Sequence, residues 1–229
     1  VDSSDAIADF WTHFGKDKPY FDADHVIDVS HGCRTFDMIA LYAPDFAIPE
    51  YVTELEKTIP DVFGGKAREI PGSIKLVNDL LKLEEIEEKQ RMAVVTSGTP
   101  YMATKWFQIL GLTKPEVFIT SASVTQGKPH PEPYLLGREG LGYTDASRKV
   151  IVFEDAPAGI KSGKDAGCFV IGIASTLTAE ELKNHGADLV VPDLLGITVG
   201  NIDQESDTLQ LIISDYHHIS EERLREFGL

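Results

Sequence analysis

Residues 149–167, KVIVFEDAPAGIKSGKDAG, constrain the fold of this chain more than any other stretch. Lys149 to Phe153 has the length and β-branching of a strand buried on both faces, as in a parallel sheet covered by helices. The run stops on two adjacent carboxylates, Glu154 and Asp155, and gives way to a small-residue helix entered through Pro157. Ligands of such sheets sit beyond the carboxyl ends of the strands, so the two acids stand where a site is expected. Successive strand side chains point to opposite faces, so both acids can address one ion only where the strand is ending, or with one acting through water. Asp155 is expected as a direct metal ligand, and Glu154 either as a second direct ligand or one step behind it. The plainer alternative is that Asp155 only N-caps the helix.

Other strand ends carry related signals. After Ala67-Arg68-Glu69, helices alternate with short apolar runs, the pattern of βαβ units. A helix over 73–83 leads through an acidic loop to the strand Met92-Ala93-Val94-Val95, which ends on Thr96-Ser97-Gly98-Thr99 and a helix from Pro100 to Leu110. Strand, hydroxyl turn and helix N-terminus together suit an anion such as phosphate; ordinary capping by Thr96 or Ser97 is the alternative. The next strand, Val117 to Thr120, leads to Gly127-Lys128-Pro129-His130-Pro131-Glu132-Pro133-Tyr134, where three prolines hold Lys128 on a stiff extended segment as a positioned charge. This is no P-loop, because Pro129 stands where a Ser or Thr is needed. His130 lacks partners at metal-ligand spacing. Further strands are expected over Cys168–Ala174, Leu189–Val191 and, at an edge, Thr208–Ile213, with Ser220 capping a last helix.

Residues 3–66 read differently, as a small all-helical region. Helices are expected from Ser4 or Asp5 to Gly15, near 22–29, through Met38, Ile39 and Tyr42, and over 49–63. His31 and Arg34, on the loop Ser30–Thr35, could reach a ligand, although a charged loop pair is more often simply solvated.

A chain of 229 residues with 42% hydrophobic content can bury a substantial core. Its net charge of -16 argues against nucleic acid or an anionic membrane as partner. Two cysteines and no apolar run of ~18 residues point to a reducing, cytoplasmic setting rather than a disulfide framework or a membrane span. Nothing demands more than a monomer.

The order hydroxyl, lysine, paired acids along three strands resembles the haloacid-dehalogenase-like hydrolases. Thr96 in VVTSG matches their second motif, Lys128 in GKPHPEPY their third, and Glu154-Asp155 their fourth. FGKDKPYFDA (14–23) and SHGCRT (30–35) are similar in particular to the fungal glycerol-3-phosphatases, and the second also to 2-deoxyglucose-6-phosphate phosphatases. The resemblance implies a Rossmann-like parallel α/β core over 68–229 with a helical cap over 1–67. It also implies Mg²⁺-dependent hydrolysis of a small phosphomonoester, glycerol 3-phosphate before a sugar phosphate, through an aspartyl-phosphate. Asp155 and Glu154 would hold the metal. Lys128, Thr96, Ser97 and Gly98 would hold phosphate, with Arg34 and His31 reaching in from the cap.

One element of that family pattern has no match here: the Asp-x-Asp-Gly-Thr motif at the end of the first strand, which supplies the nucleophile. Val1-Asp2-Ser3-Ser4 is similar to the residues just after that motif, so neither Asp2 nor Asp5 is assigned the role. The native protein is therefore expected to carry a strand upstream of Val1. The competing expectation is a phosphatase-like protein that binds a phosphorylated ligand and catalyses nothing.

Overall fold

A computed structural model describes residues 1–145 and 149–227. Four helices, α1 (Ser4–Gly15), α2 (Ala23–Ser30), α3 (Thr35–Tyr42) and α4 (Pro49–Thr58), make up the expected helical region. Helix α1 buries Ala6, Phe10, Trp11 and Phe14, spaced to share one face. Phe10 meets Trp11 and Phe14 meets Phe21 edge to face, with centroids 4.9 Å and 5.0 Å apart, while Phe10 stacks on Phe14 and Trp11 on Phe21. Asp22 caps α2 by accepting the His25 N–H at 3.0 Å. The helix expected over 49–63 stays α-helical only to Thr58. Pro60 has no N–H to give the carbonyl four residues back, and the chain widens into a π turn over Ile59–Phe63. The chain enters and leaves this region side by side: Asp2 and Arg68 exchange two backbone hydrogen bonds of 2.9 Å.

The rest alternates: α5 (Ser73–Glu87), β1 (Ala93–Val95), α6 (Pro100–Ile109), β2 (Val117–Ile119), α7 (Glu132–Gly140), β3 (Ile151–Glu154), α8 (Pro157–Asp165), β4 (Phe169–Ile173), α9 (Ala179–Asn184) and β5 (Leu189–Val191). Then come β6 (Ile197–Asp203), β7 (Thr208–Ile213), β8 (His218–Ile219) and α10 (Glu221–Phe227). Strands β3, β4 and β5 are parallel neighbours, with β8 antiparallel at the edge; β1 pairs in parallel with β2. This is a Rossmann-like α/β sheet. Among the described residues β1 and β3 do not pair with each other, so the sheet is in two pieces.

Strand β4 is buried along its length, and its side chains alternate between two apolar layers. Phe169, Ile171 and Ile173 join Leu189, Val191 and, from α5, Leu76. Val170, with Val152 and Val190, meets Tyr134 of α7, Ile160 of α8 and Leu182 of α9. Helix α6 buries Met102 and Trp106 in the core of the helical region, which fixes the two bodies to each other.

Two further expectations need correction. Helix α5 runs on to Glu87 through the supposed acidic loop, since Glu and Leu are good helix formers. Glu84 closes its end by accepting the N–H groups of Arg91 and Met92, each at 2.6 Å. Thr208–Ile213 is a strand, but it pairs with β6 in a separate hairpin, and β8 takes the sheet edge. Among the described residues no helix is long and apolar enough to cross a membrane.

Candidate active site

The carboxyl ends of β1 and β3 are joined by one lysine. The loop leading to it is folded by Glu132, whose carboxylate accepts the N–H groups of Thr125 at 2.7 Å and Gln126 at 2.8 Å. Lys128 then reaches inward and donates to the Val95 carbonyl at 3.1 Å, to the Tyr134 hydroxyl at 3.1 Å and to Oε1 of Glu154. Lys128 and Glu154 are each only 7% exposed, so this is a buried ion pair. Tyr134 also donates its hydroxyl to Glu154, and burial, followed by the Glu154 charge, pushes that phenol well above its ordinary range.

Strand alternation explains why Glu154 is here. It shares the face of Val152, toward α7 and α8. Room for its carboxylate comes from Gly159 on α8, where a Cβ would lie 2.0 Å from the Glu154 carboxyl carbon. Asp155 follows just beyond the strand. It does not cap α8, whose N-cap is Ala156 without a side-chain bond. Its Oδ2 accepts from the Ser175 hydroxyl at 3.4 Å. Burial pushes the Asp155 carboxyl up and the Glu154 charge adds to this, while His31 and Lys128 pull the other way. A desolvated, under-compensated carboxylate beside a second acid is a donor set that suits a hard divalent cation, which needs only one or two protein carboxylates when phosphate supplies the rest. Among the described residues no three His, Cys, Asp or Glu side chains are arranged so that they alone could hold a metal ion.

The turn after β1 is free of capping duty. Thr99, not Thr96 or Ser97, caps α6 by accepting the Met102 N–H at 3.4 Å. Thr96 Oγ1 accepts the Gly98 N–H at 3.2 Å, and the Ser97 hydroxyl donates to the Gly32 carbonyl at 2.7 Å. That second bond seats the loop carrying His31 and Arg34 on the turn. Gly32, at φ +81°, comes so close that a Cβ there would lie 2.6 Å from Cβ of Ala156. His31 thereby comes within electrostatic reach of Asp155. Arg34 is otherwise engaged: Asp37 takes its guanidinium at 2.7 and 2.8 Å, and it donates to the carbonyls of Val124 at 3.4 Å and Thr125 at 3.2 Å. It is a clamp between loop and core.

The structure thus gathers Lys128, Glu154, Asp155 and His31 beside the Thr96–Gly98 turn, with Arg34 at the rim. Sequence reasoning passed over Tyr134, Gly159 and Thr99; only Thr99, a hydroxyl directly before Pro100, had a local signal.

A sheet of this topology with a helical body over the strand ends, a buried lysine–acid pair and a second acid defines a class. Residues 2–167 match the family model of the haloacid dehalogenase-like hydrolases, and the chain belongs to that family. It is 54% identical to glycerol-1-phosphate phosphohydrolase 2 of Saccharomyces cerevisiae over 97% of this chain and 90% of that protein. It is 37% identical to 2-deoxyglucose-6-phosphate phosphatase 2 of the same yeast, over 80% of this chain and 79% of that one. Among solved structures, a hydrolase from Pseudomonas syringae superposes with a TM-score of 0.68 at 21% identity, covering 85% of this chain and 89% of the other, a likeness of fold.

Proposed function

We propose that this enzyme hydrolyses glycerol phosphate to glycerol and inorganic phosphate, with the helical region 1–67 as cap and 68–229 as catalytic core. The observation that carries the reading is the buried Lys128 cation, held between the ends of β1 and β3 next to Asp155 in a chain of net charge -16. A phosphate dianion entering so acidic a protein needs a local positive charge, and Lys128 is fixed where one can act. The similarity to a yeast glycerol-1-phosphate phosphohydrolase supports the choice of substrate.

Asp155, with Glu154 beside it, would hold Mg²⁺, which when bound supplies charge neutralisation at the phosphoryl oxygens. Lys128, whose three N–H groups go to Val95, Tyr134 and Glu154, acts on the transferring phosphoryl group through its charge, and Glu154 and Tyr134 keep that ammonium in place. The Thr96–Gly98 turn receives phosphoryl oxygens. The His31–Arg34 loop, seated on Ser97 and Ala156, excludes water. The nucleophilic aspartate implied by the family resemblance would stand on a strand preceding Val1, lying between β1 and β3. Support comes from the sheet itself, since β1 pairs only with β2, and β3 only with β4, among the described residues. Such a strand would satisfy both open edges. The enzyme would act as a cytoplasmic monomer on small phosphorylated substrates, a substrate class that the similarity to the yeast glycerol-1-phosphate phosphohydrolase supports.

A sugar phosphate is the second reading, favoured by the similarity to a 2-deoxyglucose-6-phosphate phosphatase. Phosphate release by the native protein in Mg²⁺, with glycerol phosphate and 2-deoxyglucose 6-phosphate in parallel, decides between them. Higher kcat/KM on the sugar phosphate would replace the first reading, and no release from either would leave only a binding role.

A further inference from the structure

Glu56 of α4 is a buried acid that the proposed chemistry does not use. It is 2% exposed, and among the described residues it makes no ion pair. Every donor that reaches it is neutral. The Thr99 N–H lies 3.1 Å away, and Thr35 and the Thr99 hydroxyl sit close enough that their hydrogen-bonding groups draw its carboxyl down. Thr35 opens α3 directly after Arg34, and Thr99 opens α6 directly after Gly98. One carboxylate therefore lies at two helix N-termini, bonded to the second through the Thr99 N–H, and the dipoles of both favour an anion. One of these helices carries the His31–Arg34 loop and the other follows the Thr96–Gly98 turn.

The neighbouring cations look elsewhere: Lys57 pairs with Glu54, and Lys105 with Asp61, whose carboxylate also accepts the Tyr101 hydroxyl at 2.7 Å. A carboxylate is an expensive way to fill this place. Burial pushes its carboxyl above the ordinary range against the pull of those hydrogen bonds, so its charge costs stability near neutral pH. An amide in its place would escape that cost, but it keeps one acceptor oxygen and turns an NH2 donor on the neighbouring donors.

We propose that Glu56 is a positioning residue: its carboxylate sets the His31–Arg34 loop in register on the Thr96–Gly98 turn, so that the substrate meets a preassembled pocket. What the loop meets rests on the phosphatase reading; the docking itself does not. The test is Glu56→Gln in the full native chain, followed by backbone hydrogen exchange and by steady-state kinetics on glycerol phosphate. Exchange over 30–37 and 97–103 is expected to rise about tenfold, the scale of one lost charge-assisted hydrogen bond, with β3 and β4 unchanged. KM is expected to rise by a similar factor, with kcat changed less than about threefold. Wild-type exchange in both segments would overturn the proposal. So would exchange raised equally in β4, which marks a merely structural residue, or a loss confined to kcat. Should Glu56→Gln not fold, Thr35→Val removes one donor from the loop side at nearly constant shape. It is expected to speed exchange over 30–37 alone, and unaltered exchange there overturns the proposal equally. If the wild type releases no phosphate, the exchange result still decides the role of Glu56, and only the phosphatase reading falls.

Discussion

Lys128 and Asp155 face the same buried acid, Glu154, with opposite consequences. Lys128 is its counter-charge, so Lys128→Met leaves Glu154 enclosed with the Tyr134 hydroxyl as its remaining hydrogen-bond donor among the described side chains. The variant should lose phosphate release by at least ~10²–10³-fold and unfold more easily by roughly 3–5 kcal/mol, as checked by turnover and denaturant midpoint. Asp155 is the reverse case. Its carboxyl lies above the ordinary range, first through burial and then through Glu154. A carboxyl raised in the folded state adds stability while protonated, below its unfolded value of ~3.9, and that stability is lost as pH rises through the folded value. Asp155→Asn should therefore be at least as stable as the wild type at pH 7 in EDTA, while losing turnover in Mg²⁺. A lower melting temperature under those conditions would contradict this electrostatic account.

At the scale of elements, the first turn of α8 and the end of β3 are fitted to each other through Gly159. Gly159→Ala places a methyl 2.0 Å from the Glu154 carboxyl carbon. Glu154 must swing or α8 must shift, so activity should fall more steeply than stability, which overpacking lowers by about 1–3 kcal/mol. Turnover close to wild type would mean that the Glu154 position is not needed.

The strands that build the site were legible because β-branched runs stop on hydroxyl or acidic residues, as at Val95–Thr96 and Phe153–Glu154. Less legible were roles set by contacts between distant residues. Tyr134 meets Glu154 across 20 positions, and Glu56 meets Thr99 across 43. No local pattern marks either. Arg34 was read as reaching a ligand, yet its partner Asp37 stands one helical turn on, an i,i+3 pair visible in the sequence. The acidic end of α5 is hard to read for another reason: a run of charge marks loops and solvated helix faces alike, and Glu favours helix.

Across the whole molecule, a helical body is fixed to an α/β body on one side by Met102 and Trp106, and on the other by the His31–Arg34 loop. Between them lies the junction of the two sheet pieces, bridged by Lys128. The proposed function and the architecture meet there: among the described residues, the edges of β1 and β3 without a strand partner flank Lys128, with Asp155 alongside. The most direct measurement is Mg²⁺-dependent phosphate release from glycerol phosphate by the native protein, with EDTA, Lys128→Met and Asp155→Asn as comparisons. Release in Mg²⁺ that is abolished by EDTA and by each substitution is the predicted result. Release that persists in EDTA or in either variant would contradict the assignment of this junction as the active site.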